Sequence, residues 1–144
     1  MPNCTSGSKI TCEFRCLAPT AVREALSRLD PAGVQWVSYT CQISGATESL
    51  LLIGDDLASR LVGFLPEVDD IGGVRVLAGL YSAQLCECDV ATLTGLPEEE
   101  VVSKLTRFAS HGLVAHQHIY GMNYYRLDSD IARRTIGAAV ERAD

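Results

Sequence analysis

An α+β fold follows from two patterns in the chain. Apolar residues recur at three- and four-residue spacing within 22–29, 57–65, 74–81, 101–109 and 131–140, the period of helices buried along one face. Segments rich in β-branched and aromatic residues come in adjacent pairs, 34–43 with 47–53 and 113–120 with 124–127, each pair joined by a short glycine-containing turn. The composition agrees. With 144 residues, 47% apolar and 21% charged, the chain can bury a real core without disulfide or metal staples.

The elements read off in order. Residues 1–8 are polar, and 9–14 suit a short strand or extended arm. Pro19-Thr20 opens a helix carrying Val22, Ala25, Leu26 and Leu29, and Asp30-Pro31-Ala32-Gly33 stops it. Val34 to Ile43 alternates as a strand, Ser44-Gly45-Ala46 turns, and Thr47 to Ile53 returns. Asp55 or Asp56 can cap a helix over Leu57 to Leu65, ended by Pro66. Asp69 or Asp70 can cap another over Ile71 to Tyr81, its first turn weakened by Gly72-Gly73. Ser82-Ala83-Gln84 is a linker, Asp89 caps a short helix Val90 to Thr94, and Gly95 ends it.

The last third carries the clearest supersecondary signal. Pro97 suits a first helical position, and Glu98, Glu99 and Glu100 suit the positive end of the helix dipole. Val101, Val102, Leu105, Phe108 and Ala109 form a buried stripe before Gly112 stops the helix. Leu113 to Tyr120, a turn at 121–123 and Tyr124 to Leu127 make a hairpin, and Ile131 to Ala143 a final helix. Short helix, glycine turn, longer helix, β-hairpin is a helix-turn-helix with a wing.

Charge and compartment bound the function. The net charge of −6 argues against a non-specific polyanion binder and leaves room only for a local basic patch. The longest apolar run, Leu50 to Ile53, is far short of the roughly 20 residues of a membrane span, so no membrane partner is expected. The first nine residues lack the apolar stretch of a signal peptide, so a cytoplasmic location is expected. Six cysteines, at 4, 12, 16, 41, 86 and 88, are many for such a protein. Clustered thiols in a reducing compartment more often mean metal or redox chemistry than disulfides.

The run Gln84-Leu-Cys-Glu-Cys-Asp-Val-Ala-Thr-Leu-Thr-Gly-Leu96 resembles the Glu-Leu-Cys-x-Cys-Asp-Leu motif of the ArsR–SmtB family of metal-sensing winged-helix repressors. Leu105 to Val114 is similar to the end of that family's recognition helix, and Tyr120 to Leu127 to its wing. Thr11-Cys-Glu-Phe-Arg-Cys16 resembles the N-terminal element of the cadmium and lead sensors of CadC type. The resemblance implies a homodimeric repressor of double-stranded operator DNA. It also implies Cys12, Cys16, Cys86 and Cys88 as thiolate ligands, the two pairs meeting across the dimer interface.

The chain departs from that pattern in two places. About 70 residues separate Cys16 from Cys86, more than the subgroup usually has. The extra material resembles part of a ferredoxin-like heavy-metal-associated unit, in Ile10-Thr-Cys12, Ala25-Leu-Ser-Arg-Leu29 and Thr47-Glu-Ser49, with Cys-x-x-x-Cys in place of Cys-x-x-Cys. The second departure is the acidic start of the recognition helix. Between 97 and 127, Lys104, Arg107 and Arg126 only balance Glu98, Glu99 and Glu100. Phosphate contacts drive DNA affinity, so binding is expected to be weaker or differently oriented than in the family.

Thiolates are soft ligands and select a thiophilic ion such as Cd, Pb, Zn, As or Hg. In a regular helix, Cys86 and Cys88 would point about 200° apart and share no ion, whereas an extended lead-in to the helix lets them converge. As alternatives, the pair packs as small core residues or forms a vicinal-thiol redox switch. Cys4 and Cys41 stand alone and read as tail and strand residues. His116 and His118 share a strand face and read as solvated wing residues. The family's second metal site would have only Asp128, Asp130, Glu141 and Asp144 here, without a histidine.

No catalytic constellation is present, so no enzyme is expected. The sequence therefore predicts an arm or small α/β subdomain at 1–54 and a winged-helix dimerisation and DNA-binding unit at 55–144. Ser103, Lys104, Thr106 and Arg107 are the expected groove or phosphate contacts, with Arg126 on the wing. A metal-binding or delivery protein that does not bind DNA is the alternative.

Overall fold

A computed structural model of the chain describes residues 19–40, 45, 47–119 and 121–143. Its elements run α1 (Pro19–Arg28), β1 (Val34–Thr40), β2 (Thr47–Ile53), α2 (Asp55–Leu61), α3 (Ile71–Ser82), β3 (Leu85–Cys86), α4 (Glu87–Thr94), α5 (Glu98–Ser110), β4 (Val114–Ile119), β5 (Met122–Leu127) and α6 (Asp130–Ala143). β1 and β2 pair antiparallel, from Val34 opposite Ile53 to Thr40 opposite Thr47. The second sheet has the order β3-β5-β4, with Leu85 opposite Tyr125 and Val114 opposite Leu127. Helix α3, the short strand, the α4–α5 pair and the β4–β5 hairpin together form a winged helix-turn-helix. The α1–β1–β2 unit is the N-terminal α/β extension.

Local chemistry places the boundaries. Asp70 caps α3, its side chain accepting the Gly73 N–H at 2.8 Å. Gly54, not Asp55 or Asp56, precedes α2, and the two aspartates lie in its first turn, favourable to the helix dipole. A side chain at Gly54 would collide with the carbonyls of Asp30 and Pro31, which lie against it where the hairpin leads into α2. Helix α2 ends at Leu61, earlier than the apolar pattern predicts; Leu65 and Val68 still reach the core from the following turns. Gly95, with φ of 73°, closes α4 in the left-handed conformation, and α5 starts after Pro97.

One core takes residues from both sides of residue 54. Val22, Ala25 and Leu50 to Ile53 pack in the same cluster as Leu77, Leu80, Leu93, Leu105, Phe108 and Ile136. Helix α3 runs through it with seven buried residues, Gly73, Val74 and Val76 to Leu80. Gly79 marks the tightest crossing, where a Cβ would meet Leu93 of α4, Leu85 of β3 and Leu50 of β2. Helix α6 is pinned to this unit by Arg133, which donates to the Leu127 carbonyl at 3.1 Å and lies over the Tyr81 ring. No helix of the described residues is long and apolar enough to cross a membrane.

Candidate nucleic-acid interface and thiol pair

The amphipathic α5 is the second helix of the helix-turn-helix. Val101, Leu105 and Phe108 bury its inner stripe, while Glu99, Glu100, Ser103, Thr106, Arg107 and Ser110 remain exposed. The expected contact residues fall into two groups. Lys104 turns back to Asp70, 2.6 Å away across the start of α3, and is largely covered. Arg107 donates to the Glu67 carbonyl and lies 3.6 Å from Asp69. Both cations thus have partners within the molecule, because the loop into α3 carries Glu67, Asp69 and Asp70 alongside α5; Lys104 is covered and Arg107 stays exposed. Ser103, Thr106 and Arg126 are exposed, as a contact surface requires. Partial burial disfavours the Asp70 charge. The Lys104 bond, the Gly73 N–H and the positive charges of Lys104 and Arg107 outweigh that and hold its carboxyl below the ordinary value.

On the wing, His116 and His118 share a face. His116 Nε2 and His118 Nδ1 both meet Asn123 Oδ1, at 2.9 and 3.0 Å. His111, after α5, lies 3.5 Å from Glu67.

Cys86 and Cys88 are buried, and with Met122 they form a small cluster of their own, flanked by Tyr124. The helix begins earlier than the capping pattern predicts. Cys86 pairs with Tyr124 in the sheet and itself occupies the N-cap position, with extended backbone. Asp89 is therefore not the cap; it lies inside the first turn and is buried. Only Cys86 lies in an extended lead-in; Cys88 is already the second residue of α4, so the stretch in which the sequence expected both to converge is shorter than predicted. Cys88 donates its thiol to Glu98 Oε1, 3.1 Å away at the first residue of α5. Burial pushes the Cys86 thiol far above its ordinary value, and the nearby Asp89 carboxylate and Cys88 push it further. Cys12 and Cys16, with Cys4 and Cys41, lie outside the described residues, and those residues contain no group of three or more His, Cys, Asp or Glu side chains able to hold a metal.

The sequence reading missed Glu87. It is buried beside the thiol pair, its Oε2 accepting the Tyr125 hydroxyl at 3.0 Å and the Asn123 amide at 3.5 Å. Burial raises its carboxyl above the ordinary value; the two hydrogen bonds lower it, Glu98 raises it again and His116 lowers it. Tyr125 is raised in turn, by burial and by Glu87. A glutamate between two cysteines gave no hint of burial, since only the β3–β5 pairing turns it inward.

The arrangement defines a winged helix-turn-helix protein with a buried thiol pair between its first helix and its wing. No protein-family model matches the chain, and no curated protein does. Among solved structures it is similar to TubR bound to 24 bp of tubC from Bacillus thuringiensis serovar israelensis pBtoxis. That match has 18% identity and a TM-score of 0.47, over 61% of this chain and 92% of the other. It is also similar to a type III plasmid segregation TubR, with 18% identity and a TM-score of 0.44, over 62% and 85% of the two chains.

Proposed function

We propose that the chain is a dimeric winged-helix transcriptional repressor that binds operator DNA and releases it when a thiophilic ion is held by Cys86 and Cys88 together with Cys12 and Cys16. The observation that carries this reading is the hydrogen bond from Cys88 to Glu98. It joins the thiol pair directly to the first residue of the recognition helix. Thiols lose their protons when they ligate a metal. Ligation at Cys88 therefore removes the donor that Glu98 accepts from and leaves the carboxylate facing a sulfur without its proton. A hydrogen bond to a charged group contributes about 1.5–3 kcal/mol. That is the size of coupling by which one ligand shifts another's affinity roughly 5- to 150-fold.

The donor set suits such an ion. Two thiols lie away from water beside the Met122 thioether, all soft sulfur. The ion would supply a crosslink between β3, α4 and the N-terminal arm. Ile136 of α6 is fully buried within the protomer and is not available to a dimer seam. The groove between α2 and α6, about 570 Å³ and lined by Leu57, Leu61, Phe64 and Ala138, is the surface we assign to it. Phe64 there is 71% exposed.

One observation favours a second reading. Lys104 and Arg107 are held by Asp70, Asp69 and the Glu67 carbonyl, which leaves α5 acidic on its outer face. A soft-metal-binding or delivery protein without DNA binding fits that surface. The test combines two assays on the reduced full-length chain. Cd(II) is titrated while the ultraviolet thiolate-to-metal band is followed, and a gel shift is run on the DNA upstream of the chain's own gene. One ion per protomer, lost in Cys12→Ser and Cys86→Ser, with release of shifted DNA, supports the repressor. Tight binding with no shift at any salt supports the carrier. Absence of binding by Cd(II), Pb(II) and As(III) overturns the thiolate site.

A further inference from the structure

Beneath the wing lies a cleft that the two thiols do not line. It has a volume of about 320 Å³. One wall is the α5 stripe Val102, Thr106 and Ala109; the other is the wing face of His116, Asn123 and Tyr125, with the Glu87 carboxylate also lining it. Glu87 is only 2% exposed. Its Oε2 is satisfied by Tyr125 and Asn123, but its Oε1 is buried with no partner among the described residues. Glu98, one turn before Val102, brings a second case: Oε1 accepts from Cys88, and Oε2 is buried with no partner among the described residues.

A buried acceptor left open costs free energy until something donates to it, and a nearby second carboxylate adds charge repulsion. A cationic donor answers the open acceptor of Glu87 and the charge repulsion. We propose that the cleft binds a small organic cation bearing N–H donors, a primary ammonium or guanidinium, with its head on Glu87 Oε1 in the field of Glu98 and its carbon chain along Val102 and Ala109. A positive N–H donor makes a charge-assisted hydrogen bond and cancels the repulsion together. A hard divalent ion needs about six oxygen ligands in its shell, and the described residues gather no group of three or more metal-binding side chains. The volume sits at the small end of ligand pockets. The site touches α4, α5 and both wing strands, so its occupant fixes the recognition helix relative to the wing. Glu98 links it to Cys88, but the site does not require the repressor reading.

The test is an amide ¹⁵N–¹H NMR titration of the reduced full-length chain with agmatine and with butylammonium, against 1-butanol and Mg(II) as controls. Saturable shifts at Thr106, Ala109, His116 and Asn123 with either organic cation, absent with 1-butanol, are expected. Glu87→Gln should weaken binding at least about tenfold, the loss of one charge-assisted bond. Since Glu87 is buried and its variant can misfold, Ala109→Leu provides a second arm, filling the cleft from a half-buried helix position and blocking the shifts. Four results overturn the proposal: no response to either cation, an equal response to 1-butanol, saturable shifts of the same amides with Mg(II), or undiminished binding in both variants.

Discussion

Substituting Asp70 separates two roles held by one carboxylate. Its side chain caps α3 through the Gly73 N–H at 2.8 Å and pairs with Lys104 at 2.6 Å. Asp70→Ala removes both. Loss of an N-cap costs about 1 kcal/mol, with a range of roughly 0.5–2. The ion pair adds little, because the Asp70 side chain is half exposed; an exposed pair contributes about 0.2–1 kcal/mol. Asp70→Ala should therefore lose about 1–2 kcal/mol. Asp70→Asn keeps a capping oxygen of similar quality and should lose only the ion pair, about 0.2–1 kcal/mol. Urea unfolding at pH 7 reads both.

The pH dependence gives a second check on the same residue. The folded Asp70 carboxyl lies below its ordinary value, so the unfolded chain binds more protons through this window and stability rises with pH. The contribution is complete above the unfolded value of about 3.9. It is lost as pH falls through the lower folded value, so wild type and Asp70→Asn should converge in acid. Equal losses for the two variants, or a gap that widens in acid, would refute this account of the α3–α5 contact. Either variant also releases Lys104. If the chain binds DNA, one more free cation should steepen the dependence of log affinity on log salt by about 0.9.

Three further outcomes are expected. Phe108→Ala, removing a fully buried α5 ring that lies by Gly73 of α3, should cost about 3–5 kcal/mol in urea unfolding. Gly79→Val should cost about 1–3 kcal/mol through overpacking against Leu93, Leu85 and Leu50, and a neutral result would show that α3 and α4 can separate there. Burial and a raised thiol value should make Cys86 react with iodoacetamide at pH 8 far more slowly in the native chain than in urea; equal rates would mean the β3–α4 junction opens freely.

The helices with broad apolar stripes, α1, α3, α5 and α6, were legible because tertiary packing uses the face that periodicity marks. The two hairpins were legible from their glycine turns. Strand β3 was not, since two residues carry no period; yet its pairing with β5 places Cys86 at the N-cap, buries Asp89 and turns Glu87 inward. The thiol pair could be read from spacing alone. The fate of Lys104 and Arg107 could not, because their partners at 67–70 lie more than thirty residues away in sequence. The Glu87–Tyr125 contact spans a similar distance and left no local trace.

Strand β2 has a consequence for how the molecule opens. Leu50, Leu51, Leu52 and Ile53 are successive residues, so they alternate between two faces, and all four are at most 1% exposed. Neither face of the strand's end looks onto solvent. The amides of this segment cannot exchange with deuterium by fraying of an edge; they exchange only when the α3 packing beneath them comes apart. The N-terminal hairpin and the winged-helix unit should then share the slowest protons in the molecule, one cooperative unit in native-state exchange rather than an outer layer that opens first.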